Sequence, residues 1–192
     1  MRLAEHACEA AIDDTREIFV PGVSENTLWT ILQCGNFTRF GEWVETRLLA
    51  SGICTNHWYQ EASAKLVALG ELVAFDTDLV GAYGMFIDMS RTWLCGYGLP
   101  SGEQAHLIGV AQETIDRNTE LFRAGRSVRE ITDKLWYPSV EDYNGYTVTA
   151  HGTDFVTSTH QFSCAKMGAN RLRPDVASQL RHQCGSFCRT AQ

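Results

Sequence analysis

Apolar residues recur at helical spacing from Leu3 to Phe19, with Leu3, Ala4, Ala7, Cys8, Ala11, Ile12 and Phe19 on one stripe, and Pro21-Gly22 ends the run. Ser24 then stands where an N-cap belongs, ahead of a second helix carrying Leu28, Ile31 and Leu32. About a hundred residues later the arrangement returns. A shift of 103 positions lays Ile12 on Ile115, Asp13 on Asp116, Glu17 on Glu120, Phe19 on Phe122, Gly22 on Gly125 and Ser24 on Ser127. The spacing predicts an internal duplication of helix, Gly turn and capped helix. Two copies of one α+β unit would set a sheet between two helix pairs. Helix stops and Ser caps also recur through their own chemistry, but these identities extend beyond the punctuation residues.

Between the copies, Leu72 to Leu79 and Met85 to Cys95 are strand-like runs. Val80-Gly81-Ala82-Tyr83-Gly84 joins them as a hairpin loop. Beyond Asp154 the character changes. Residues 1–154 hold 11 Lys and Arg against 22 Asp and Glu, whereas residues 155–192 hold 5 against 1, Asp175, and no Glu. That stretch also carries three of the seven cysteines and no defensible helix or strand pattern.

A length of 192 residues with 44% hydrophobic content suits one globular domain. The net charge of −7 argues against a nucleic-acid partner, which calls for a basic surface. No apolar run reaches the ~20 residues of a membrane span, so the expectation is a cytoplasmic protein acting on a small molecule or peptide. Cys8, Cys34, Cys54 and Cys95 lie far apart without a Cys-x-x-Cys pair, and the expectation is mostly buried free thiols.

The chemistry concentrates in the hairpin. Asp76 and Asp78 are two apart on one strand and share a face, roughly 7 Å from each other. A loop centred on Ala82 without a bulge puts Asp76 directly opposite Asp88. Opposed carboxylates with Cβ atoms about 5 Å apart repel unless something positive lies between them, and a bound cation is the simplest remedy. Two such cations ~3.5–4 Å apart could polarise a substrate oxygen or activate water. A solvated polar strand face is the commoner source of alternating Asp. Here the apolar company of Val73, Phe75, Phe86 and Ile87 weighs against it.

The stretch Gly70 to Pro100, GELVAFDTDLVGAYGMFIDMSRTWLCGYGLP, resembles the pita-bread metalloenzymes of the creatinase and aminopeptidase type. In that family a Gly-x-Leu-Val strand leads to one metal Asp, a second metal Asp, then Ser/Thr-Arg-Thr. Asp76 and Asp88 match the two aspartates. Most peptidases of the group have Gly where Asp78 stands. The Asp-Thr-Asp here, with GEWVETRLLASG at Gly41 to Gly52, is similar to the branch of DddP-type dimethylsulfoniopropionate lyases. YTVTAHG places His151 at the family's His-Gly metal position and Tyr146 at an active-site tyrosine of that branch. A histidine by itself is more often a satisfied surface or core residue; only the motif raises it. His57 departs from the lyase pattern and matches a proton-shuttling histidine of the peptidases, although an exposed loop histidine would look the same.

The resemblance covers Met1 to about Gly152 and implies an α+β pita-bread fold, incomplete at its C-terminal end, over residues 1–153. It implies one or two first-row metal ions, iron first, on Asp76, Asp78, Asp88 and His151. Tyr146 or His57 would serve catalysis, in a homodimer with a small-molecule substrate. The reaction would be release of dimethyl sulfide and acrylate. The alternatives are an Xaa-Pro or methionine aminopeptidase and a non-catalytic pita-bread module. Two metal-binding glutamates and an Asp-Glu-Tyr-Pro segment bearing the general base are absent after His151. A reading-frame slip accounts for this. One G restored after the Thr153 codon lets the codons from Asp154 read Gly-Leu-Arg-Asp-Glu-Tyr-Pro, which marks residues 154–192 as an out-of-frame tail. As written, the domain would lack both an N-terminal domain and its closing strands, and would be marginally stable.

Overall fold

The computed structural model describes residues 1–44, 46–55, 60–136 and 138. It contains two compact units, one of Met1–Pro100 and one beginning at Ser101.

In the first unit, α1 (Arg2–Glu17) buries Ala4, Ala7, Cys8, Ala11, Ile12 and Thr15. Leu3, expected on the buried stripe, is exposed. After the left-handed Gly22 (φ 89), the Ser24 hydroxyl accepts from Thr27 N at 3.1 Å and caps α2 (Glu25–Thr38). The helices cross closely because Gly35 has no side chain. A Cβ there would stand 2.7 Å from Ala11 Cβ and 2.8 Å from Ala11 Cα.

Six short strands follow: β1 (Trp43–Val44), β2 (Leu49–Ser51), β3 (Leu72–Asp76), β4 (Leu79–Val80), β5 (Phe86–Ile87) and β6 (Ser90–Leu94). They form two antiparallel three-stranded sheets in the orders β1-β4-β5 and β2-β3-β6. Both contain the same three runs of chain, 43–51, 72–80 and 86–94, with 72–80 in the middle. The expected hairpin is therefore present, with a third run beside it, and all three runs break at one level. Phe75, Leu28, Leu32, Leu49, Leu79 and Ile87 are the large fully buried side chains beneath the sheets. Trp93 packs on Phe75 with ring centroids 4.8 Å apart and on Phe19 at 5.4 Å.

In the second unit, Ser101 and Gln104 form a reciprocal capping box on α3 (Gly102–Thr119), and Ser127 and Glu130 form another on α4 (Val128–Thr132). Gly125 is left-handed (φ 87) two residues before the cap, as Gly22 is before Ser24. Phe122 and Ile131 are buried together with Leu121 and Leu135 against them. Helix, left-handed Gly and Ser cap thus recur at the predicted spacing. Among the described cysteines, Cys8 and Cys95 are buried but Cys34 and Cys54 are exposed, so the expectation of mostly buried thiols holds for half of them. No described helix is long and apolar enough to cross a membrane.

Candidate metal centre

The three aspartates lie along the line where the runs break. Asp76 ends β3, Asp78 stands just before β4, and Asp88 follows β5. The expected register does not hold. Asp76 pairs with Ser90, and Leu79 with Ile87, so the same register brings Asp78 level with Asp88. The turn centres on Tyr83 rather than Ala82, closed by Gly81 N donating to Met85 O at 2.8 Å, with Tyr83 at φ 66. Moving the centre by one residue moves the partner by two, and a two-residue shift keeps every side chain on its face. The Asp76 and Asp88 carboxyls therefore still meet, diagonally, and share a hydrogen bond.

Thr77 explains the break. Its N–H donates to Met89 O at 3.2 Å, but Met89 N donates back to Thr77 Oγ1 at 2.8 Å, where a regular ladder would use the carbonyl. With the hydroxyl in the ladder, the backbone turns into the left-handed region at Asp78 (φ 40). Asp78 Oδ2 then accepts a hydrogen bond of 2.8 Å from Thr46 Oγ1. The register of β2 on β3, in which Leu49 pairs with Phe75 and Ala50 with Ala74, carries on to put Thr46 level with Asp78.

The electrostatics match a site built to lose a proton or gain a cation. Burial is the main force holding Asp76 protonated, followed by the hydrogen bond and the charge of Asp88. Asp78 adds to the rise, Ser90 Oγ donating at 2.7 Å to Asp76 Oδ1 opposes it, and the carboxyl stands pushed up to about 8. Asp88 Oδ1 is buried and receives no hydrogen bond. Two touching carboxylates with a third acting on them form a hard oxygen donor set that fits a divalent cation. Among the described residues no three His, Cys, Asp or Glu gather into a complete metal site, so this is part of a donor set. The remaining expected residues, His57, Tyr146 and His151, lie outside the described residues.

Two features escaped the sequence reading. Ser90 and Thr46 both sit in quoted motifs, yet only the pairing of strands shows what their hydroxyls hold. Glu25, at the start of α2, is buried and looked like one more acidic residue of a first helical turn. Its Oε1 accepts from Ser51 N (2.8 Å) and Oγ (2.7 Å), and its Oε2 from Ser63 N (3.0 Å) and Oγ (2.6 Å). Lys65 Nζ then donates to Ser51 Oγ at 2.6 Å and to Glu71 at 2.7 Å. This network ties the start of α2 to the end of β2 and to Ser63, Lys65 and Glu71.

Residues 1–183 match the model of metallopeptidase family M24. The chain is 40% identical over 139 residues to the dimethylsulfoniopropionate lyase DddP of Roseovarius nubinhibens, covering 70% of this chain and 31% of that protein. It is 42% identical over 137 residues to the DddP lyase of Roseobacter denitrificans, covering 69% and 31%. The chain thus spans about a third of the length of these curated relatives. Among solved structures it resembles the prolidase of Pyrococcus furiosus, with a TM-score of 0.67, 22% identity, and 90% of this chain and 52% of that one covered. The X-Pro aminopeptidase of Thermotoga maritima gives a TM-score of 0.61 at 21% identity over 68% and 36%. These structural likenesses establish the pita-bread fold, of which this chain covers a part.

Proposed function

The chain belongs to metallopeptidase family M24, a family that uses divalent metal ions, and from that premise we propose that it derives from a dimethylsulfoniopropionate lyase, cleaving its substrate to dimethyl sulfide and acrylate. The observation that carries this reading is the identity of 40% and 42% to two such lyases. Asp78, in place of the glycine of most peptidases of the group, supports it.

Asp76, Asp78 and Asp88, with His151, would hold the metal, iron first among the first-row ions. A bound divalent cation would draw charge from the substrate carboxylate and so ease loss of the proton α to it. The burial and mutual repulsion that hold a proton on Asp76 are relieved when a cation takes the place of that proton. Tyr146 would position the substrate or pass a proton. The base takes the α proton, the electron pair forms the double bond, and the C–S bond breaks to release dimethyl sulfide. That base belongs to the Asp-Glu-Tyr-Pro segment of the restored frame, so the tail after Thr153 is proposed to be out of frame and the chain as written to be impaired.

The test compares the chain as written with one encoded after restoring a single G behind the Thr153 codon, continued in the native downstream frame. Both are assayed for acrylate release from dimethylsulfoniopropionate, with a proline-containing dipeptide in parallel. Elimination should be lower by about 10²–10⁴-fold in the chain as written, for want of the base. Robust elimination by that chain would refute the frame account. Dipeptide cleavage without acrylate from the restored protein would move the assignment to the aminopeptidases, where His57 would shuttle protons.

A further inference from the structure

The register of β2 on β3, carried along the chain, puts Thr46 level with Asp78, where the central run turns left-handed. Its hydroxyl reaches across 32 positions of sequence and donates to Asp78 Oδ2 at 2.8 Å in a partly buried setting. On the other side of the same line, Ser90 Oγ donates to Asp76 Oδ1 at 2.7 Å. Each of the two carboxylates thus has one oxygen held by a hydroxyl from a neighbouring run of chain, as the outer hydrogen bonds around a metal ligand do when they set its orientation.

Asp78 needs such a partner more than Asp76 does. Asp76 is anchored in a five-residue strand, whereas Asp78 lies between two strands in a backbone conformation in which a side chain is disfavoured. The Thr46 hydroxyl ties its carboxylate to the neighbouring run. We propose that Thr46 is the positioning residue of Asp78, fixing its carboxylate in the orientation from which it serves the divalent cation of the partial donor set. The inference rests on the metal reading of the carboxylate cluster given above. It adds a hydroxyl from the segment between β1 and β2 to the set of residues that shape the cluster.

The experiment is a titration of the metal-free full chain with Co(II) alone, followed by its visible absorption, for the wild type and the variants Thr46→Val and Thr46→Ser. Urea unfolding of each metal-free protein is measured beside it. Valine keeps the shape and removes the donor; serine keeps the donor and removes the methyl group. Thr46→Val should bind Co(II) about 10-fold or more weakly, with an altered absorption band, while Thr46→Ser stays within about threefold of the wild type. Equal affinity of Thr46→Val and wild type overturns the proposal. So does Thr46→Ser binding as weakly as Thr46→Val, since packing rather than the hydroxyl would then matter. A wild-type chain that binds no Co(II) overturns it as well, because Asp78 would then present nothing to a cation. No sulfonium substrate enters the titration, so failure of the lyase assignment leaves its result standing, and failure here leaves the acrylate assay untouched.

Discussion

Replacing Asp76 with asparagine in the metal-free protein should make it more stable at neutral pH and change how its stability depends on pH. The Asp76 carboxyl is pushed up to about 8 in the folded chain, first by burial and then by Asp88, whereas an unfolded Asp titrates near 3.9. Between those values the folded state holds a proton that the unfolded state has released. The slope of unfolding free energy with pH is therefore negative, about −1.4 kcal/mol per pH step. The stabilisation is fully present below about pH 4 and is lost as the pH rises through about 8. From pH 5 to 7 alone the wild type should lose about 2–3 kcal/mol from this group. Asparagine keeps the shape, can still meet Asp88 and Ser90, and has nothing to titrate. The assay is urea unfolding of chelator-treated wild type and Asp76→Asn at pH 5, 6, 7 and 8, with the difference between the two plotted against pH so that other groups cancel. A difference that does not change with pH would refute the reasoning. Adding a divalent cation to the wild type should oppose the decline, because the ion favours the charged carboxylates.

Gly35→Ala should destabilise the first unit by about 1–3 kcal/mol in urea unfolding, since the new methyl group meets backbone as well as side chain of Ala11 at under 3 Å. Glu25→Ala should cost at least about 2 kcal/mol in the same assay, because it removes the acceptor of the buried Ser51 N–H, the partly buried Ser63 N–H and the hydroxyls of both serines. Iodoacetamide labelling followed by peptide mapping should modify Cys34 and Cys54 and spare Cys8, whose thiol burial pushes up to about 12; rapid labelling of Cys8 in the native protein would contradict its place under the sheet.

The sequence was most legible where structure is local. The Ser24 and Ser127 caps and the left-handed Gly22 and Gly125 depend on residues within one turn, and they appear where the pattern put them. The two runs flanking the hairpin loop and the meeting of Asp76 with Asp88 were legible as well, because alternation survives a two-residue error in register. The register itself was not. It depends on Tyr83 adopting a conformation that side chains disfavour, and on Thr77 placing its hydroxyl in the ladder, neither of which periodicity reveals. The run 43–51 was quoted only as a motif, since strands of two and three residues leave too short an alternation to detect. Without it, the role of Thr46 and the buried acceptor at Glu25 had no partner to point to them.

The alignment of three strand breaks on one line also governs how the molecule breathes. Amide exchange begins where backbone partners are missing and spreads until it meets an intact ladder. Across this line two backbone bonds, Asp76 N to Leu48 O at 2.9 Å and Thr77 N to Met89 O at 3.2 Å, are joined by the hydroxyl groups of Thr77, Ser90 and Thr46 in tying the central run to its neighbours. The two-residue and five-residue segments of that run belong to different sheets and can open as separate small units. An ion clasped by carboxylates from both sides of the line would make them open together. Occupancy at one point would then be readable as slowed exchange at amides on either side, several residues from the ion itself.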